Sequence, residues 1–144
     1  MEERRVWIFF YGAFMDPAVL QANGVKVTVV VPALVRGRRL EIRPRANLVA
    51  DDQAVAFGSL AELIHQEIDS LYRMLDEKFG LKYFPEAVMA ETLEGTLRPA
   101  LCFVASELDG SRPTHEYIQQ MLAAIKAVGL PEWYASYVKS LEGD

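Results

Sequence analysis

The stretch Val6-Trp7-Ile8-Phe9-Phe10-Tyr11-Gly12-Ala13-Phe14-Met15-Asp16-Pro17 decides how the chain begins to fold. Its first residues form a continuous apolar run rich in β-formers, the pattern of a strand buried on both faces. The run stops at Tyr11-Gly12. Asp16 can then cap a short helix that has Pro17 at its first position and Gly24 just past its end. A strand that hands over to a helix at a glycine gathers free backbone N–H groups at one point. Such a bend holds anions and polar head groups without charged side chains. The bend of Tyr11, Gly12, Ala13, Phe14 and Met15 is therefore the first candidate site.

Working outward, residues 26–31 form a β-branched run, which Pro32 interrupts. Residues 33–42 resume it as a strand or bent strand. Residues 46–50 and 54–57 read as short strands around an Asp51-Asp52 turn. Ser59 is predicted to open a helix through a capping box with Glu62. Leu60, Ile64, Ile68, Leu71 and Leu75 then fall on one face, and Gly80 closes it. Residues 87–93 and 100–104 are β-like, with a Glu94-Gly95 turn nearby. Thr114 caps a second helix with Ile118, Met121, Leu122 and Ile125 inward, and Gly129 ends it. Pro131 starts a third helix carrying Tyr134, Tyr137, Val138 and Leu141. Strands grouped on both sides of a central helix, with the last helices together, predict an α+β fold with a strongly curved sheet.

The 144 residues fit a single domain spanning 1–144. A net charge of -5 argues against a nucleic-acid binder, which carries a basic face. With Cys102 as the one cysteine, no internal disulfide can form, and its apolar strand makes it a buried, inert thiol. No run is long enough for a membrane span, and the N-terminal apolar run is too short for a secretory segment, so a cytoplasmic location is expected. His65 and His115 have no partners at ligand spacing, so no metal site is expected. Arg36, Arg38, Arg39, Arg43 and Arg45 form a local positive stripe in this acidic chain. Strand alternation puts Arg36 and Arg38 on one face and the other three on the opposite one. Either they form a solvated outer strand, or one or two bind a carboxylate or phosphate. The helix over 114–128 and the aromatic segment 133–138 could form a protein interface, but their spacing already suits core packing.

At the Tyr11-Gly12 bend the chain resembles the opening of the γ-glutamylcyclotransferase-like family. More of the sequence agrees in order. Val55-Ala56-Phe57-Gly58-Ser59-Leu60 resembles that family's central strand. The stretch from Leu71 through Asp76, Glu77, Lys78, Phe79 and Gly80 resembles its Leu-Asp-x-x-Glu-Gly helix ending. Tyr83 follows where the family often has Tyr, and Ala100-Leu101-Cys102-Phe103-Val104 resembles its late strand. Pro113-Thr114-His115-Glu116-Tyr117 and Gly129-Leu130-Pro131-Glu132-Trp133-Tyr134 resemble its closing pattern.

The resemblance implies a small mixed, mostly antiparallel β-barrel with flanking helices. It implies cleavage of a γ-glutamyl amide, in which the substrate's α-amine attacks the γ-carbonyl and gives 5-oxoproline without a cofactor. Backbone amides of the bend would hold the glutamyl group, while a glutamate would shuttle the proton. Phe79 stands at that glutamate's place, and Ala13-Phe14 where Ser-Asn is common. The implied substrate-binding set is Tyr11, Gly12, Ala13, Phe14, Met15, Phe79, Tyr83 and Arg43. Glu77 is the nearest replacement carboxylate. On a continuing helix it points about 200° away from Phe79, so it serves only if the helix has unwound there. The expected partner is a small molecule with a carboxylate or γ-glutamyl group, the protein being a monomer or homodimer. Two functions follow: an enzyme with changed catalytic residues, or a non-catalytic small-acid binding module or member with unrelated chemistry on the same fold.

Overall fold

A computed structural model describes residues 4–27, 29–105 and 110–143. Strands β1 (Arg5–Phe10), β2 (Val31–Ile42), β3 (Ala46–Ile64), β4 (Tyr83–Thr92) and β5 (Leu97–Ala105) close into a barrel in the order β1-β3-β2-β4-β5. Neighbours run antiparallel, except that β1 meets β5 in parallel at Ile8 and Leu101, which closes the ring. A short 3-10 turn, Ala13–Met15, and helices α1 (Pro17–Ala22), α2 (His65–Phe79), α3 (His115–Val128) and α4 (Glu132–Ser140) flank it. The predicted α+β barrel with flanking helices is the observed fold.

The local signals at helix ends act as the sequence predicts. The Asp16 carboxylate accepts from the Ala18 amide, and the Thr114 hydroxyl oxygen accepts from the Tyr117 amide. Gly80 and Gly129 end α2 and α3 in the left-handed conformation. Ile118, Met121 and Ile125 of α3 and Tyr134 and Val138 of α4 are buried. Leu122 is half-buried against the same core.

Three expectations about the strands are corrected. Residues 46–64 form one 19-residue strand, but its pairing with β2 lapses at residues 51–54, around the expected Asp51-Asp52 turn, where the Asp51 carboxylate accepts from the Gln53 amide. Pro32 does not interrupt β2 but lies one residue inside it, paired with Ser59, where a missing N–H is tolerated. The irregularity in β2 sits instead at Gly37, whose φ of 83° lets the register with β3 shift between Arg36 and Arg38. The predicted capping box at Ser59 and Glu62 is absent. Ser59 is buried in β3 and donates to the Met15 carbonyl at 2.8 Å, tying the barrel to the 3-10 turn. The helix starts six residues later at His65, where Glu67 accepts from the Ile64 amide. Leu60 and Ile64 misled because a spacing of four places residues on one side of a helix and of a strand alike.

Among the described residues, no helix is long and apolar enough to cross a membrane.

Candidate functional site

β1 delivers the chain to a bend beside a cavity of about 380 Å³. Tyr11, Gly12, Ala13 and Phe14 form one wall. Tyr72, Leu75, Lys78 and Phe79 of α2 form a second, while Arg45, Ala46, Tyr83, Phe103 and Tyr117 complete the lining of this half-open space. Asn23 and Gln120, both exposed, stand at the rim. Gly12 has an ordinary φ of -106°, so its role is not a left-handed turn. The 3-10 turn uses the Met15 and Asp16 amides. Those of Gly12, Ala13 and Phe14, at its start, make no hydrogen bond among the described residues.

Of the residues singled out from the sequence, Tyr11, Gly12, Ala13, Phe14, Phe79 and Tyr83 meet around this cavity. Met15, Arg43 and Glu77 do not line it. Met15 is fully buried beneath the turn. The Arg43 guanidinium turns toward the Ile42 carbonyl, 3.4 Å away. Glu77 fails for the reason its helical position gives. α2 runs unbroken to Phe79, so the exposed Glu77 side chain stays on the other side of the helix.

Arg45 takes the place assigned to Arg43. β2 ends at Ile42, so strand alternation does not carry through to 43 and 45. The Arg43 amide donates to the Arg45 carbonyl at 3.1 Å. The next residue, Ala46, is clamped on both sides. Its amide donates to the Tyr117 hydroxyl at 3.1 Å, and its carbonyl accepts from the Tyr83 hydroxyl at 3.2 Å. The Arg45 guanidinium carbon then lies 4.6 Å from the Phe79 ring centroid and 4.9 Å from that of Tyr117. Both rings favour a cation there, each contact contributing about 0.5–1 kcal/mol. Arg45 pairs with no carboxylate among the described residues, whereas Arg36, Arg38 and Arg39 pair with Glu91, Glu86 and Asp51. Most of the arginine stripe is thus structural.

Arg45 and Lys78 are the only charged side chains lining the cavity among the described residues. Burial pushes the hydroxyls of Tyr11, Tyr72, Tyr83 and Tyr117 above the usual phenol range, with Arg45 pulling Tyr83 and Tyr117 partly back. All four are neutral phenols near pH 7. Tyr11 donates to the Phe103 carbonyl at 2.6 Å, and the Tyr72 ring stacks on Phe103 at 4.0 Å. Tyr72, Lys78 and Tyr117 were not singled out as ligand contacts. Tyr117 reaches Ala46 across 71 residues, and nothing local announces that bond.

No family model and no curated protein matches the chain. Solved structures do. A gamma-glutamyl cyclotransferase superposes with a TM-score of 0.83 at 15% identity, covering 98% of this chain and 90% of that one. An uncharacterised human protein gives 0.85 at 16%, covering 99% and 90%. YkqA from Bacillus subtilis gives 0.81 at 20%, covering 97% of this chain and 55% of its own.

Proposed function

From a chain that carries the γ-glutamylcyclotransferase-like fold, we infer that the cavity is a receptor for a small carboxylic acid. One observation carries this reading: Arg45, which pairs with no carboxylate among the described residues, brings its guanidinium to a cavity whose one other charged side chain among those residues, Lys78, is also a cation. A guanidinium offers a carboxylate paired donors, and the Gly12 to Phe14 amides add further donors in the same lining. Lys78 adds positive potential. The expected test is calorimetry with short carboxylic acids. Micromolar to millimolar binding that weakens about 10- to 100-fold in Arg45→Met supports the reading, since a charge-assisted hydrogen bond contributes about 1.5–3 kcal/mol. Equal binding by both proteins overturns it.

A second reading, cleavage of a γ-glutamyl amide with release of 5-oxoproline, draws on the cyclotransferase among the solved structures of this fold. Among the described residues no carboxylate lines the cavity to accept the proton. Phe79 cannot take a proton, Glu77 lies off the cavity, and the four phenols are neutral. Incubation with γ-glutamyl peptides and γ-glutamylamines is therefore expected to form 5-oxoproline no faster than buffer. A rate well above buffer that Glu77→Gln abolishes would restore the enzyme reading.

A further inference from the structure

Phe79 is a half-exposed aromatic at the last position of α2, where it adds little to the core. Its surroundings give it another task. The helix runs unbroken to this residue and closes on Gly80, whose amide donates to the Asp76 carbonyl at 2.8 Å, so the ring stands on a fixed stem. The Arg45 guanidinium carbon lies 4.6 Å from its centroid. Tyr117, on α3, is held as firmly. Its amide donates to the Thr114 hydroxyl oxygen, and its own hydroxyl accepts from the Ala46 amide. Its ring centroid lies 4.9 Å from the same guanidinium carbon. Two rings from two helices thus meet one cation.

A ring holds a guanidinium differently from a carboxylate. The attraction is to the π-face, and it uses no N–H in a bond to oxygen, so the donors are left for a ligand. The same stripe shows the contrast: Arg36 and Arg38 give donors to Glu91 and Glu86. Holding also acts through entropy. A long side chain loses rotamer freedom when a ligand immobilises it. Where rings have already fixed the side chain, binding no longer meets that loss, which amounts to about 2- to 10-fold in affinity.

We propose that Phe79 is a positioning residue: together with Tyr117, its ring fixes the Arg45 guanidinium in advance for the carboxylate of the ligand. The proposal rests on the small-acid reading and adds the residue that prepares the cation. Phe79 acts through Arg45. Position 79, where the resemblance implies a proton-carrying glutamate, serves the cation instead.

The test uses the full chain, propionate as the probe and two variants. Phe79→Leu keeps an apolar side chain without a π-face, and Phe79→Tyr keeps the ring. Nuclear magnetic resonance reads the Arg45 δ-protons, identified by their loss in Arg45→Met and shifted upfield by adjacent rings. Calorimetry reads propionate. Phe79→Leu is expected to move those protons toward the ordinary arginine position and to weaken propionate about 2- to 10-fold, whereas Phe79→Tyr keeps both close to the native values. Unmoved resonances in Phe79→Leu overturn the holding contact. Moved resonances with unchanged binding overturn the positioning role while leaving the small-acid reading in place. A loss in Phe79→Tyr as large as that in Phe79→Leu also overturns it, because the ring would then not be what acts. If the native protein does not bind propionate, both readings fall.

Discussion

Gly58 and Gly12 are both glycines beside the site, and the physical demands on them are opposite. A Cβ on Gly58 would stand 2.0 Å from the Phe10 carbonyl oxygen and 2.9 Å from its carbon, where β1 crosses close to β3. Neither backbone can yield without breaking the ladder. Gly58→Ala is expected to cost roughly 3 kcal/mol or more, read from the urea midpoint. A Cβ on Gly12 would meet the Ala46 Cβ at 3.4 Å and the Tyr117 hydroxyl at 3.5 Å, ordinary contacts. Gly12→Ala is therefore expected to fold with little change by the same measurement; a loss as large as that of Gly58→Ala would contradict this account. Cys102 offers a second residue-scale check. It is fully buried, and burial pushes its thiol up to about 12. At pH 8 the native protein is expected to leave a thiol-disulfide reagent unreacted, with full labelling only in denaturant. Its inertness was legible in the sequence, because an apolar strand around a lone cysteine already says as much. Arg45 was not, because whether residue 43 or 45 faces the cavity depends on where β2 stops.

Elements are joined here by side chains standing in for backbone. Asn47 in β3 donates its amide nitrogen to the Ala105 carbonyl at 3.0 Å and accepts from the Ala105 amide at 2.9 Å. One side-chain amide thus supplies both bonds of a rung to β5, which is not β3's neighbour in the barrel order. Asn47→Leu would leave both buried groups unpaired, at an expected cost of about 2–4 kcal/mol in a urea titration. A change under 0.5 kcal/mol would mean that water replaces the rung. This contact spans 58 residues, so no window of sequence could reveal it. Helix termini lie at the other extreme. Asp16, Thr114, Gly80 and Gly129 act within a turn of their own position, which is why those boundaries were legible. α2 is the intermediate case. Gly80 ended it correctly, yet its start was misplaced because the apolar spacing of β3 also suits a helix.

Across the whole molecule, burial raises the hydroxyls of all 6 tyrosines above the ordinary value of 10.0. The folded state therefore keeps phenol protons that the unfolded chain loses. The resulting stability is fully present below about pH 10 and is lost as pH rises beyond it. The urea midpoint is expected to be steady from pH 7 to about 9 and to fall markedly by pH 11. A midpoint that holds at pH 11 would show these phenols to be freely titrating. The sequence by itself determined the kind of fold, because apolar runs, caps and turn glycines are properties of adjacent residues. It also placed the bend at Tyr11 to Phe14 and put Phe79 at the end of a helix. Only the tertiary structure decided that Arg45, Tyr83 and Tyr117 converge on one cavity and that Glu77 stays outside it. The physical reason is that barrel closure brings together side chains tens of residues apart, and the sign of the charge they enclose is a property of that meeting alone.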